Sequence, residues 1–381
     1  MKVFTKTASR SLVWAGYLVI LLEMIYMSTP FAVFFYSVYG APLRFLSQGG
    51  STAWMVQTIL PHFTQTNSIT ITTLLYLGWP LMGIGFTVFV AGFCQVYWSK
   101  IRRKGAVLGG IYRFVRHPQY AGWAIFGIGM ALLWSRMIVW ITYVSMLFVY
   151  YLLALKEEKE CLARYGESYR SYLKRTGRFL PRLGGMALRE KRFLPPGRAE
   201  RAAAIIVLYA MALSGTIGLG FMTREHTLSA ISAIYGKDFA AVSLAPLGQE
   251  EIRAILDVSL KDHSVRDRLE QLAAAGAKQL IYIIPSEWGI PELGVEGEAR
   301  GRHGFNPTNH GNPSAFDRRR YNVLISRANV SQDAEGRDIL SKAAGQSPLL
   351  CVKVDLEEGR ITALSHHPGR GRYGDLPVPL F

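Results

Sequence analysis

Five apolar runs dominate the first part of the chain, at residues 12–39, 71–98, 120–134, 137–155 and 202–221. About 20 apolar residues cross the hydrocarbon core of a bilayer, so each run is a candidate transmembrane helix. Half of all residues are hydrophobic and only 18% are charged, a balance too apolar for one soluble domain of 381 residues. The third and fourth runs are short and separated only by Ser135 and Arg136, which suits a helical hairpin whose tip lies near the far membrane surface. The first run follows MKVFTKTASR and continues past the length of a signal-peptide core without an A-x-A site, as a retained anchor would. Glu23 and Pro30 interrupt it. A lone carboxylate in a span is expensive, and Glu23 is expected to make an interhelical hydrogen bond while protonated rather than to meet a substrate.

The charge is as uneven as the hydropathy. Residues 1–223 hold 24 Lys and Arg against 7 acids, whereas residues 224–381 hold 19 against 20. The cations flank apolar spans instead of covering a soluble face, so they read as a topology signal and exclude a nucleic-acid surface. Lys2, Lys6 and Arg10 precede the first span; Lys100, Arg102, Arg103, Lys104, Arg113 and Arg116 lie between the second and third; residues 156–201 carry 13 cations against 6 acids. The positive-inside rule makes these segments cytoplasmic. With the N-terminus inside and five crossings, residues 224–381 are expected outside, in an integral membrane setting such as a bacterial inner membrane. Arg136, on the outer side, is expected to snorkel to the interface. Cys94, Cys161 and Cys351 are scattered singly, with no disulfide framework and no zinc spacing.

The chemistry concentrates in two stretches at the expected cytoplasmic surface: GGIYRFVRHPQYAGW, residues 109–123, and EEKECLARYGESYRSYLKRTGRFLP, residues 157–181. In the first, Arg116 and His117 stand at the mouth of a span that Pro118 can start, a natural site for an anionic group. In the second, Glu157, Glu158, Cys161, Leu162, Tyr165, Tyr169 and Tyr172 recur at three- and four-residue spacing, giving one helix face acids and then aromatics, and Gly166 would permit a bend. Cys161 reads as packing rather than as a nucleophile. Carboxylates and tyrosines opposite an Arg/His pair suit a ligand carrying both an anion and a cation. S-adenosylmethionine is such a ligand: its carboxylate wants Arg or His, its ammonium a carboxylate, and its sulfonium aromatic faces.

These residues resemble the isoprenylcysteine carboxyl methyltransferase and phospholipid methyltransferase families of integral membrane enzymes. Their G-x-Y-x-x-x-R-H-P-x-Y-x-G pattern matches Gly110, Tyr112, Arg116, His117, Pro118, Tyr120 and Gly122, and their second pattern matches Glu157, Glu158, Leu162, Tyr165, Gly166, Tyr169, Tyr172 and Pro181. The departure is Ile111, where these enzymes usually have proline, which touches loop rigidity and no chemical group. The resemblance spans about residues 71–183. It implies an S-adenosylmethionine pocket between the helices and the basic cytoplasmic segment, open to an apolar or amphipathic acceptor from the lipid side. Tyr112, Arg116, His117, Tyr120, Glu157, Glu158, Tyr165 and Tyr169 are the expected cofactor-binding residues. Glu158 and Arg116 are the expected catalytic ones, and Glu157, about 100° round the helix from Glu158, is expected to matter less. Two alternatives stay open: a nicotinamide-dependent membrane reductase of the same architecture, and a non-catalytic structural subunit of a larger membrane complex.

After the last span the pattern changes. Residues 249–258 read as a helix, and Ser264 with Asp267 as a capping box opening another that runs to about Ala275. Residues 280–284 read as a buried strand, 349–364 as a β-hairpin, and 285–320 as a long polar loop. His226, His263, His303, His310, His366 and His367 lack ligand spacing, so no metal is expected. The expected fold is an α-helical integral membrane protein of five transmembrane helices, including a short helical hairpin, followed by a soluble α/β domain. Its parts are 1–70, an anchor and exterior loop; 71–200, a methyltransferase-like membrane core; 201–223, the fifth span; and 224–381, an extracytoplasmic module suited to docking a membrane-protein partner.

Overall fold

The computed structural model describes residues 18, 21–37, 42–102, 105–182, 197–290, 293–295, 297, 316–366 and 381. The apolar runs become helices: α1 (21–37), α3 (Ile69–Ile101), α4 (Pro118–Leu133), α5 (Met137–Arg175) and α6 (Arg198–Ala230), with a short α2 (Pro42–Gln48) between the first two. Among the described residues three helices are long and apolar enough to cross a membrane: Ile69–Ile101, Met137–Arg175 and Ala199–Ala230. Among the described residues the count of five crossings is therefore not confirmed. The described part of α1 has 17 residues, and α4, with 16 residues, is short for a span and turns directly into α5. The fourth run does not end near residue 155. Its helix continues through the charged motif to Arg175, broken only at Gly166, whose φ of 57° and ψ of −130° lie outside the helical region and suit glycine alone.

The chain divides into two compact units. The first comprises Met1–Tyr39, Gly85–Gly127 and Thr142–Ile205. In it α3 and α4 touch backbone to backbone: a Cβ on Gly122 would sit 2.6 Å from the Phe89 nitrogen and 2.8 Å from the Gly85 carbonyl oxygen. Small residues allow this approach where lipid offers no hydrophobic drive for association. Aromatic side chains fill the flank, with Phe31 stacked on Trp123 at 3.9 Å between ring centroids.

The second unit comprises Gly40–Ile84, Ile128–Ile141 and Ile206–Phe381. Its core is a six-stranded sheet in the order β1 (Ala233–Tyr235), β2 (Phe239–Ser243), β3 (Gln279–Pro285), β4 (Arg320–Ala328), β5 (Gln346–Asp355), β6 (Arg360–His366). Only β2 and β3 run parallel, joined through α7 (Gln249–Leu260) and α8 (His263–Ala274); the other neighbours are antiparallel, so the α/β expectation resolves into one crossover unit and a meander. All seven residues of β3 are buried, as the apolar run implies, and each large aliphatic there contributes about 1.5–3 kcal/mol. The predicted hairpin is β5–β6, turning through Gly359 at a φ of +62°. The helix expected to open at Ser264 is instead capped by Asp262, which accepts from the Ser264 and Val265 amides at 2.8 and 3.3 Å. Most of the expected loop at 285–320, with His303 and His310, lies outside the described residues, as does His367.

Segment 57–62 ties this unit together. Ile59 N–H donates to Ser135, Met137 N–H to Gln57, and His62 N–H to Phe381, at 2.7, 3.1 and 2.8 Å. Arg136 does not snorkel. It is buried and donates from Nη1 to the Val56 carbonyl at 2.8 Å. Desolvation pulls its pKa down to about 10, so it stays a cation. Buried Arg224 donates in the same way to the Thr58 and Ser341 carbonyls, beneath the ring of Phe381.

Candidate active site

The first unit builds its site by joining the two motifs through their backbones. Arg116 N–H donates to the Gly177 carbonyl at 2.9 Å and His117 N–H to Arg178 at 3.1 Å. Pro118 then starts α4 with no amide to satisfy. Upstream, Gly110 takes a φ of +59° in a single 3-10 turn, Gly110–Arg113. Here Ile111 matters: its N–H donates to Gln95 Oε1 at 3.2 Å while Gln95 Nε2 donates to the Gly109 carbonyl at 2.6 Å. A proline at 111 could not make the first of these bonds, so the Gln95 carboxamide provides the rigidity that the departure from the family pattern appeared to remove.

Two arginines and a histidine converge on Glu158. Arg116 Nε and His117 Nε2 each lie 3.3 Å from its Oε1. Arg178 grips it with both prongs, from Nε to Oε1 at 2.9 Å and from Nη2 to Oε2 at 2.8 Å. The Glu158 side chain is 10% exposed and that of Arg116 3%. A carboxylate so enclosed is stabilised only by its partners, and removing one side of a buried pair typically costs about 3–5 kcal/mol. Glu157, with a side chain 41% exposed, points elsewhere: its Oε2 is 3.3 Å from His117 Nδ1, and it accepts the Tyr120 hydroxyl. His117 thus bridges both glutamates. Burial alone would lower its pKa, but hydrogen bonds and charges from Glu157 and Glu158 outweigh that and raise it above the usual histidine value. Burial, assisted by Glu157, also pushes the Tyr112 hydroxyl upward, so it stays a donor; Tyr172 in turn donates to the Tyr112 carbonyl at 2.7 Å.

Beside this hub lies a cavity of about 1050 Å³. Of the eight expected binding residues it gathers seven: Tyr112, Arg116, His117, Tyr120, Glu157, Tyr165 and Tyr169. The eighth, Glu158, is not in its wall. Glu157 thus faces the cavity, and Glu158 holds Arg116, His117 and Arg178 behind it. Three contributions escaped the sequence reading. Arg178 is one, although RTGRF stood inside the second motif. The wall supplied by α1, with Glu23, Tyr26 and Met27, is another, and Tyr97 with Lys100 at the end of α3 is the third. Glu23 is not a lone carboxyl; it pairs with Lys100. Cys161 also lines the cavity.

The second unit has a smaller cavity of about 410 Å³, lined largely by apolar side chains of α7, α8 and the sheet such as Leu256, Leu269 and Ile281. Among the described residues no three His, Cys, Asp or Glu side chains are grouped to hold a metal ion.

No curated protein and no solved structure matches the chain. One family model does, over residues 75–168, a stretch that holds Tyr112, Arg116, His117, Tyr120, Glu157 and Glu158 and stops short of Tyr169 and Arg178. That family is phospholipid methyltransferase, in agreement with the resemblance carried by the two motifs.

Proposed function

We propose that the cavity of the first unit binds S-adenosylmethionine and that the protein methylates an apolar or amphipathic acceptor at the cytoplasmic membrane face. One observation carries this: seven residues, drawn from motifs about 35 positions apart and chosen for one ligand, line a single cavity. The donor set suits that ligand. Arg116 and His117 offer cations for its carboxylate, Glu157 an anion for its ammonium, and the faces of Tyr112, Tyr120, Tyr165 and Tyr169 a bed for its sulfonium. When bound, S-adenosylmethionine supplies an electrophilic methyl group, transferred by direct displacement to the acceptor's nucleophile.

The chain's own residues then have three tasks. The Glu158 hub fixes Arg116, His117 and Arg178 before any ligand arrives, so little orientational freedom is left to lose on binding. Buried tyrosine hydroxyls and apolar stems exclude water, which strengthens the charged contacts. Glu157 on the cavity wall can accept a proton from an amine, thiol or hydroxyl acceptor, whereas a carboxylate acceptor needs no base. The cation-rich flanks of the helices support a cytoplasmic site, and residues 224–381 are proposed as an extracytoplasmic docking module.

Calorimetric titration with S-adenosylhomocysteine tests the cofactor assignment. The wild type should bind, and His117→Ala should lose about 2–5 kcal/mol of affinity by removing one of the two groups that meet the ligand's carboxylate. Absence of binding to well-folded wild type would remove the proposal.

A further inference from the structure

Helix α1 is held differently at its two ends. Toward its C-terminus Phe31 stacks on Trp123, Phe34 is fully buried against Tyr143, and the Ser37 hydroxyl meets that of Thr142 at 2.7 Å. Buried Met27, whose carbonyl accepts from the Tyr150 hydroxyl at 3.2 Å, belongs to the same grip, and N-terminal to it the contacts across the cavity are polar and exposed. Glu23 pairs with Lys100, side chains 47% and 40% exposed, and Lys156 Nζ lies 5.1 Å from the Tyr26 ring centroid and 3.5 Å from its hydroxyl. Where the two meet, Pro30 has no N–H for the Tyr26 carbonyl, while the Thr29 hydroxyl back-bonds to Ile25 at 2.6 Å. Both features loosen a helix locally.

A firm apolar clasp, a weakened turn and a weak polar latch over a cavity are the parts of a gate. We propose that residues 21–26 of α1 open and close the cavity, the helix yielding between this stretch and the Pro30 turn, with Glu23–Lys100 and Tyr26–Lys156 as the latch. Leu22, Glu23, Tyr26 and Met27 all line the cavity, as do Lys100 and Lys156, so parting these pairs widens its mouth. Exposed ion pairs contribute little net stability, which lets such a latch open thermally. The gate deepens the proposed function by giving the acceptor an entry route, and that use of it rests on the methyltransferase reading; the motion itself does not.

The native Cys161 thiol in the cavity wall reports the motion. In full-length protein carrying Cys94→Ser and Cys351→Ser, the rate of maleimide labelling at Cys161 should rise about two- to fivefold in Glu23→Gln and in Lys100→Met. It should return toward the parent rate in the charge-swapped pair Glu23→Lys with Lys100→Glu. Unchanged rates in the single variants, or a swapped pair as fast as the singles, would overturn the gate. Failure of the wild type to bind S-adenosylhomocysteine would instead remove the cofactor reading and leave the labelling result intact.

Discussion

The two units bury their charged groups differently. In the first, Arg116, His117, Glu158 and Arg178 are enclosed and answer one another, next to a cavity lined by charges and tyrosines. In the second, buried Arg136 and Arg224 are met by backbone carbonyls rather than by acids, the buried Tyr282 hydroxyl and Asn322 carboxamide have no hydrogen-bond partner among the described residues, and the core on the sheet is apolar. A network that fixes charges before a ligand comes is a costly arrangement to keep for stability alone, since apolar replacements often serve that end as well or better. The first unit is therefore where chemistry is expected, and the second is a scaffold whose stability comes from area.

The largest effect that would break this contrast is at the hub. Glu158→Ala strands Arg116, His117 and Arg178 and should cost about 3–5 kcal/mol, read as a drop in melting temperature in detergent, with loss of the cavity's ligand affinity. A variant as stable as the parent would deny the hub its role. In the scaffold, Ile283→Ala should cost about 2–5 kcal/mol by opening a void in β3, yet leave S-adenosylhomocysteine affinity within error. A tenfold loss there, about 1.4 kcal/mol, would show that the units are coupled.

Smaller effects sharpen the comparison. Gly122→Ala places a Cβ 2.6 Å from the Phe89 nitrogen and should cost about 1–3 kcal/mol by forcing α3 and α4 apart, seen as a lower melting temperature. The pH dependence should reside in the first unit. His117 has a raised pKa in the folded state, so its contribution is complete below the pKa of an unfolded histidine and is lost as pH rises through the folded value. Melting temperature should therefore fall from mildly acidic to alkaline pH, and His117→Asn should flatten that part of the profile. Smallest of all, Tyr282→Phe removes a buried hydroxyl without a partner and should be neutral or stabilising by up to about 1 kcal/mol.

Much of the site was legible in the sequence because ligand chemistry dictates residue types: an Arg-His pair at a helix start and spaced acids and tyrosines on one face name their partners. The apolar runs likewise announced the helices, and LIYII announced β3. What was not legible depends on distant phase. Whether Glu157 or Glu158 faces the cavity is set by how α5 rotates against the segment at 115–117 and by the return of Arg178, neither of which spacing within one helix reveals. Glu23 looked like an isolated carboxyl because its partner, Lys100, lies 77 residues away. Arg136 looked like a surface cation because the Val56 carbonyl that accepts from it ends a single 3-10 turn, Ala53–Val56, with no sequence signature. Ser264 lost the cap to Asp262 because both types can cap, and the position of the first turn decides between them.

The division of labour between the two adjacent glutamates is the central claim, and it can be measured on two variants of equal size. Glu157→Gln and Glu158→Gln should be compared with wild type for S-adenosylhomocysteine affinity and melting temperature. Glu157→Gln is predicted to weaken binding about tenfold or more with little change in melting temperature, because it removes a charge from the cavity wall. Glu158→Gln is predicted to lower the melting temperature sharply, because it unpairs the hub. Full affinity in Glu157→Gln together with an undisturbed melting temperature in Glu158→Gln would contradict the account.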